Sequence, residues 1–155
     1  MLVVKFVGDD SRRFAELVNV FLAGPYRVTQ RAAWSLSECV KNHPALILPH
    51  LGKILKAAGL PDAHAAVKRN VVRLLQFIRI PKGYQGQVAT LCFGYFRDSG
   101  ETIAVRVFSM TVLTHLALEL PELKNEVMLL IEDQMPYGTA GFISRGRKML
   151  KQLKA

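Results

Sequence analysis

The sequence predicts an all-α fold, an α-solenoid of about four stacked helical hairpins, and three observations carry that prediction. Four arginines, Arg31, Arg69, Arg106 and Arg145, sit in similar short patterns and stand 38, 37 and 39 residues apart. Three prolines, Pro44, Pro81 and Pro121, each precede an apolar segment and repeat at steps of 37 and 40. Between these landmarks apolar residues recur with the 3.6-residue period of a helix buried on one side, and no alternating run of useful length survives. Two independent markers sharing a period of 37–40 residues define a structural repeat.

Each unit reads as two helices whose ends are marked chemically. Residues 11–23 form the first, since Asp10 and Ser11 supply an N-cap and Gly24-Pro25 a stop. A helix over 27–41 follows. Asn42 precedes Pro44 and a helix over 44–58, which Gly59-Leu-Pro61 ends. Asp62 opens a helix over 62–79. There Val67, Val71, Leu74, Leu75 and Ile78 make an apolar stripe, and Arg69, Arg73 and Gln76 lie on another face. Pro81-Lys-Gly83 separates it from a helix over 84–97. Asp98 and Glu101 have the spacing of a capping box ahead of a helix over 101–119. Helices over 121–134 and 140–153 complete the set. In the last of them, Gly141 and Gly146 are expected to permit a close approach to its neighbour. The repeats are then 8–42, 43–80, 81–120 and 121–155 of a single domain. Residues 1–7 form an N-terminal cap, with Leu2 to Val7 standing where the tail of a preceding helix would cover an exposed apolar face.

Composition agrees with one compact domain: 155 residues, of which 50% are hydrophobic and 21% charged, which excludes disorder as the overall state. The longest uncharged stretch, Gly83 to Phe96, is short of the ~18 residues a membrane span needs, and Met1 to Lys5 is too short for a signal peptide. Cytoplasmic residence is the expectation, with no membrane partner. Cys39 and Cys92 stand 53 positions apart without a CxxC pair, so they read as reduced, buried, small apolar residues rather than a disulfide or zinc framework.

The segments Val28-Thr-Gln-Arg-Ala-Ala-Trp34, Val67 to Ile78 and Ile131 to Phe142, spaced as helical hairpins near 38 residues, resemble the HEAT and armadillo class over nearly the whole chain. They look like segments of small bacterial HEAT-like proteins. The resemblance implies a right-handed superhelix whose second helices line a concave surface, and a habit of binding macromolecules there.

The candidate partner-binding residues are Arg31, Trp34, Arg69, Arg73, Arg106 and Arg145. The structural reading of the arginine column has Arg69 and Arg106 held by Asp62, Asp98 or neighbouring carbonyls, and leaves Arg73 open to a ligand. Charge distribution offers another reading. Residues 40–97 carry nine cations, Lys41, Lys53, Lys56, Lys68, Arg69, Arg73, Arg79, Lys82 and Arg97, against Asp62 alone. An acidic stretch over 119–133 and a basic end follow, and the whole chain carries a formal charge of +9. A nucleic-acid-binding zone would have those cations beside Trp34 and Tyr84 or Tyr95, whereas placement on the first helices, at Lys53, Lys56 and Lys82, would indicate solubility.

Catalytic readings find little. HEAT-like alkylpurine DNA glycosylases use a basic concave face with an Asp and aromatic residues; Trp34 fits that scheme, but no acidic residue is expected on the arginine face. Gly141 to Lys148 approaches a phosphate loop, yet Arg147 stands where its lysine belongs, Lys148 replaces the hydroxyl, and a helix and a turn precede it instead of a strand. Met135-Pro136 alone matches the signature loop of the helical fumarase-type lyases. His43 and His50 would lie two turns apart on one helix face, without the i, i+4 spacing of a zinc pair; His64 is isolated, and His115 among Val112, Leu113 and Leu116 reads as a core residue. The sequence therefore predicts a non-enzymatic scaffold without cofactor or metal. Its partner is a macromolecule, with protein favoured and nucleic acid, through residues 40–97, the alternative.

Overall fold

The structure, a computed structural model, describes residues 2–155. All regular structure among those residues is helical, and the chain divides into two compact units, one ending at Arg79 and the other beginning at Ile80.

In the first unit, α1 (Leu2–Val7) ends at Gly8, whose φ of 52° is the left-handed conformation glycine adopts without strain; its N–H donates to the Val4 carbonyl at 2.9 Å. Asp10 caps α2 (Ser11–Ala23) as expected, Oδ1 accepting from the amides of Arg12 and Arg13 at 2.9 and 3.0 Å. Those bonds, the one from Arg13 foremost, hold its carboxyl below the usual range. Phe14, Leu17, Val18 and Phe21 form the buried stripe of α2. The turn to α3 (Tyr26–Asn42) needs glycine, since a Cβ on Gly24 would lie 2.6 Å from the Val20 carbonyl oxygen. Thr29 then donates to the carbonyls of Phe21 and Gly24 and locks the hairpin.

Two expected helices change form. The segment 44–58 is a 3₁₀ stretch, Pro44–His50, followed by α4 (Leu51–Ala58). Pro49 lacks the donor an α-helix requires there, and its ring would meet the carbonyl four residues back. His43 and His50 consequently do not share an α-helical face. The segment 62–79 contracts to α5 (Ala65–Leu75), and Asp62 does not cap it; His64 does, its Nδ1 accepting from the Ala66 amide at 3.1 Å. At the other end the Gln76 amide tightens onto the Arg73 and Leu74 carbonyls, and Pro81 drives Ile80 out of the helical region.

The second unit contains α6 (Lys82–Arg97), α7 (Ile103–Glu119), a 3₁₀ turn at Pro121–Leu123, α8 (Lys124–Gln134), a second at Met135–Tyr137, and α9 (Ala140–Lys154). The capping box does not form. Asp98 instead closes a turn by accepting from Gly100 at 2.9 Å, while Thr102 Oγ1 caps α7 by accepting from Val105. The largely buried α7 packs against α6, α8 and α9. Gly146 is a close-approach glycine, with a Cβ there 3.1 Å from Met135; Gly141 faces open space, so that part of the expectation fails. Cys39 and Cys92 are free and buried, and burial pushes the Cys92 thiol up to about 12.

Candidate partner-binding face

Within the first unit α3 and α5 lie side by side and parallel. Two contacts establish this: the Tyr26 and His64 rings meet at 4.0 Å between centroids at the start of both helices, and Lys41 Nζ sits 5.8 Å over the Phe77 ring at their far ends. The offsets, 38 and 36 residues, lie at or within one residue of the 37–40 period read from the sequence. Arg31 and Arg69 are therefore equivalent positions at the same height on adjacent helices.

Exposure follows the same phase. Along α3 the outward stripe is Arg27, Arg31, Trp34, Glu38 and Lys41, with only Glu38 half-buried; along α5 and its C-cap it is Ala65 and Arg69, both exposed, and Arg73 and Gln76, both half-buried. Trp34, the sole tryptophan, is 40% exposed. Among the described residues, the side chains of Arg31, Arg69 and Arg73 make no hydrogen bond or ion pair. The structural reading of Arg69 is thus corrected: Asp62, in the exposed turn before α5, does not hold it. Glu38, seven residues beyond Arg31, also corrects the expectation of a face without a carboxylate. The seven-residue step that returns a side chain to the same face could have found it, together with Arg27 and Lys41.

The second unit treats its arginines differently. Arg106 is half-buried, donating to Gln134 Oε1 and lying 5.4 Å over the Phe142 ring, so its partner is Gln134 rather than Asp98. Arg145 donates to Thr111 Oγ1 at 2.7 Å, an anchor from α9 to α7. The acidic stretch is partly neutralised in place, Arg97 pairing with Glu126 and Lys154 with Glu132 at 3.5 Å.

Matching α3–α5 and α7–α9 pairs, built at the step of the sequence repeat, are the architecture of one family. The HEAT repeat domain profile matches residues 2–153. The chain belongs to the HEAT repeat family. No curated protein and no solved structure matches it. HEAT repeats serve chiefly as scaffolds for protein interaction, and in this one Arg27, Arg31, Arg69 and the tryptophan are exposed on second helices, while Lys53, Lys56 and Lys82 are exposed on first helices.

Outside that face the site expectations thin out. His115 is exposed on α7 and not a core residue; partial desolvation, then the Arg145 charge, lowers its pKa. Tyr95 is buried and Tyr84 half-buried. Of the cations over 40–97, Lys53 and Lys56 lie on α4, and Lys82 and Arg97 at the two ends of α6. No helix is long and apolar enough to cross a membrane among the described residues, and none of them form a metal-ligating cluster.

Proposed function

We propose that this HEAT repeat protein is a non-enzymatic scaffold that binds an acidic segment of a protein partner on the α3–α5 face of its first unit. The observation that carries the reading is the grouping of Arg31, Arg69 and Arg73, uncommitted within the described chain, with the half-exposed ring of Trp34 on two parallel helices. An aromatic residue flanked by arginines is the composition of an interaction hot spot. Carboxylates of a partner meet guanidinium groups in the geometry these donors prefer. The nucleic-acid reading draws less support, because the basic zone spreads over α4 and α6 as well, and Tyr95 is not available for stacking. Arg106 and Arg145, tied to Gln134 and Thr111, are assigned to holding the second unit together.

Trp34 supplies its own reporter, since no other tryptophan contributes to the emission. At ~50 mM salt, a polyglutamate peptide should change Trp34 fluorescence saturably, and Arg31→Glu with Arg69→Glu should abolish the change. A flat titration with the peptide rejects the reading. A tighter response to a single-stranded oligonucleotide transfers the face to nucleic acid.

A further inference from the structure

The second unit contains a cleft of about 410 Å³ where its α6–α7 and α8–α9 connections come together. That is within the roughly 300–1,000 Å³ of small-molecule sites. Its walls are Arg97, Ser99, Arg106, Gln134, Tyr137 and Phe142. None of these belongs to the α3–α5 face, so the inference stands apart from the proposed function.

Arg106 is the unusual member. A half-buried cation ordinarily has an anionic partner, because desolvation of an uncompensated charge is costly. Here its hydrogen-bond partner is the neutral amide of Gln134, and its buried Nε has no acceptor. The guanidinium is nonetheless fixed. Gln134 is itself anchored by donating Nε2 to the Phe96 carbonyl at 2.8 Å, and the Phe142 ring, stacked in turn on Phe96, supports the guanidinium plane. Orientation of this kind removes the ordering cost of binding an anion.

The rest of the cleft defines that anion. Arg97 engages Glu126 and is half-exposed, leaving further guanidinium donors beside the cleft; Ser99 adds a hydroxyl. Two guanidinium groups and a hydroxyl match the three terminal oxygens of a phosphate monoester better than the two of a carboxylate. Tyr137 is 91% exposed at the rim, a ring without a packing partner, whereas Phe142 is covered by Phe96 and Arg106. We infer that this cleft binds a phosphate monoester carried on a flat ring, with the phosphate between Arg97, Arg106 and Ser99 and the ring against Tyr137. A free mononucleotide and an aryl phosphate share that chemistry.

Calorimetric titration of the full chain tests it, with AMP and phenyl phosphate as the two sources and inorganic phosphate, adenosine and benzoate as controls. At least one ester should bind saturably and tighter than every control. Arg106→Gln should weaken it by about tenfold or more, and Tyr137→Ala by about threefold, as expected for a lost charge-assisted bond and a lost stacking contact. Because Arg106→Gln removes a packing contact, Tyr137→Ala at a fully solvated ring is the variant that decides if the first fails to fold. AMP alone responding identifies the nucleotide source, and phenyl phosphate alone the aryl source. No saturable binding by either ester up to about 10 mM, well above a millimolar Kd, overturns the inference. So does benzoate or inorganic phosphate binding as tightly as the esters, or full affinity in Tyr137→Ala.

Discussion

Replacing Arg106 with alanine takes a hydrogen bond from Gln134 and a cation from the Phe142 ring, so it should destabilise the protein by about 1–3 kcal/mol. Arg31→Ala and Arg69→Ala remove exposed side chains without partners among the described residues, and each should stay within about 0.5 kcal/mol of the parent. Denaturant melts of the three variants check this; equal losses would mean that Arg31 and Arg69 are structural after all. The sequence displays these arginines as one column, and their spacing was legible to the residue. Their division was not, because it depends on Gln134 and Thr111, 28 and 34 positions away in the chain. His50 gives a second residue-scale expectation. Its ring lies 5.8 Å from that of Phe14, and desolvation, aided by the Lys53 charge, lowers its pKa; His115 shifts the same way. A base whose native pKa is depressed binds fewer protons folded than unfolded, so stability is full above the ordinary value of about 6.5 and declines as pH falls toward the lowered one. The melting temperature should therefore drop between pH 7.5 and 5.5, and less so in His50→Gln with His115→Gln; parallel curves for the two proteins would contradict it.

At the scale of the element, the order of the eight expected helices followed from period and punctuation, a ninth, α1, lies over the segment expected as a cap, and the ends followed from chemistry that punctuation hides. Pro49 reads as one more apolar-segment residue until its missing donor is considered, and it is what holds 44–50 in 3₁₀ form. His64 caps α5 and Thr102 caps α7, each beside an aspartate that looks the better cap in sequence. In both cases position relative to the first turn prevails over residue preference. The glycines divide in a way that only packing reveals. A Cβ at Gly94, exposed in the interior of α6, meets nothing within 4 Å, so Gly94→Ala should stabilise by about 0.5–1 kcal/mol through lower chain entropy in the unfolded state. At Gly138 the same atom would sit 2.6 Å from Cδ1 of the buried Phe142, and Gly138→Ala should cost about 1–3 kcal/mol. Thermal melts that move in opposite directions are the expected pair of results, and a gain at Gly138 would show that Phe142 repacks freely.

Over the whole molecule the charge is unevenly shared. Residues up to Arg79 carry twelve Lys and Arg against five Asp and Glu, and those from Ile80 carry nine against seven, so the net charge of +9 belongs mostly to the first unit. The excess explains why the basic zone stood out in the sequence. It does not by itself distinguish a binding face from a solvated surface, since a diffuse field and a local site attract an anion alike at low salt. Position separates them. Arg31→Glu with Arg69→Glu, and Arg147→Glu with Lys148→Glu on the exposed side of α9, change the net charge by the same amount at sites on different units. If the α3–α5 face is the site, the first pair should abolish polyglutamate binding and the second should lower it only as far as the long-range field accounts for. That residual loss should disappear as salt rises to ~150 mM, where charges more than about 8 Å apart are screened. Equal losses from the two pairs at both salt concentrations would mean that net charge, and not the face built by α3 and α5, governs association.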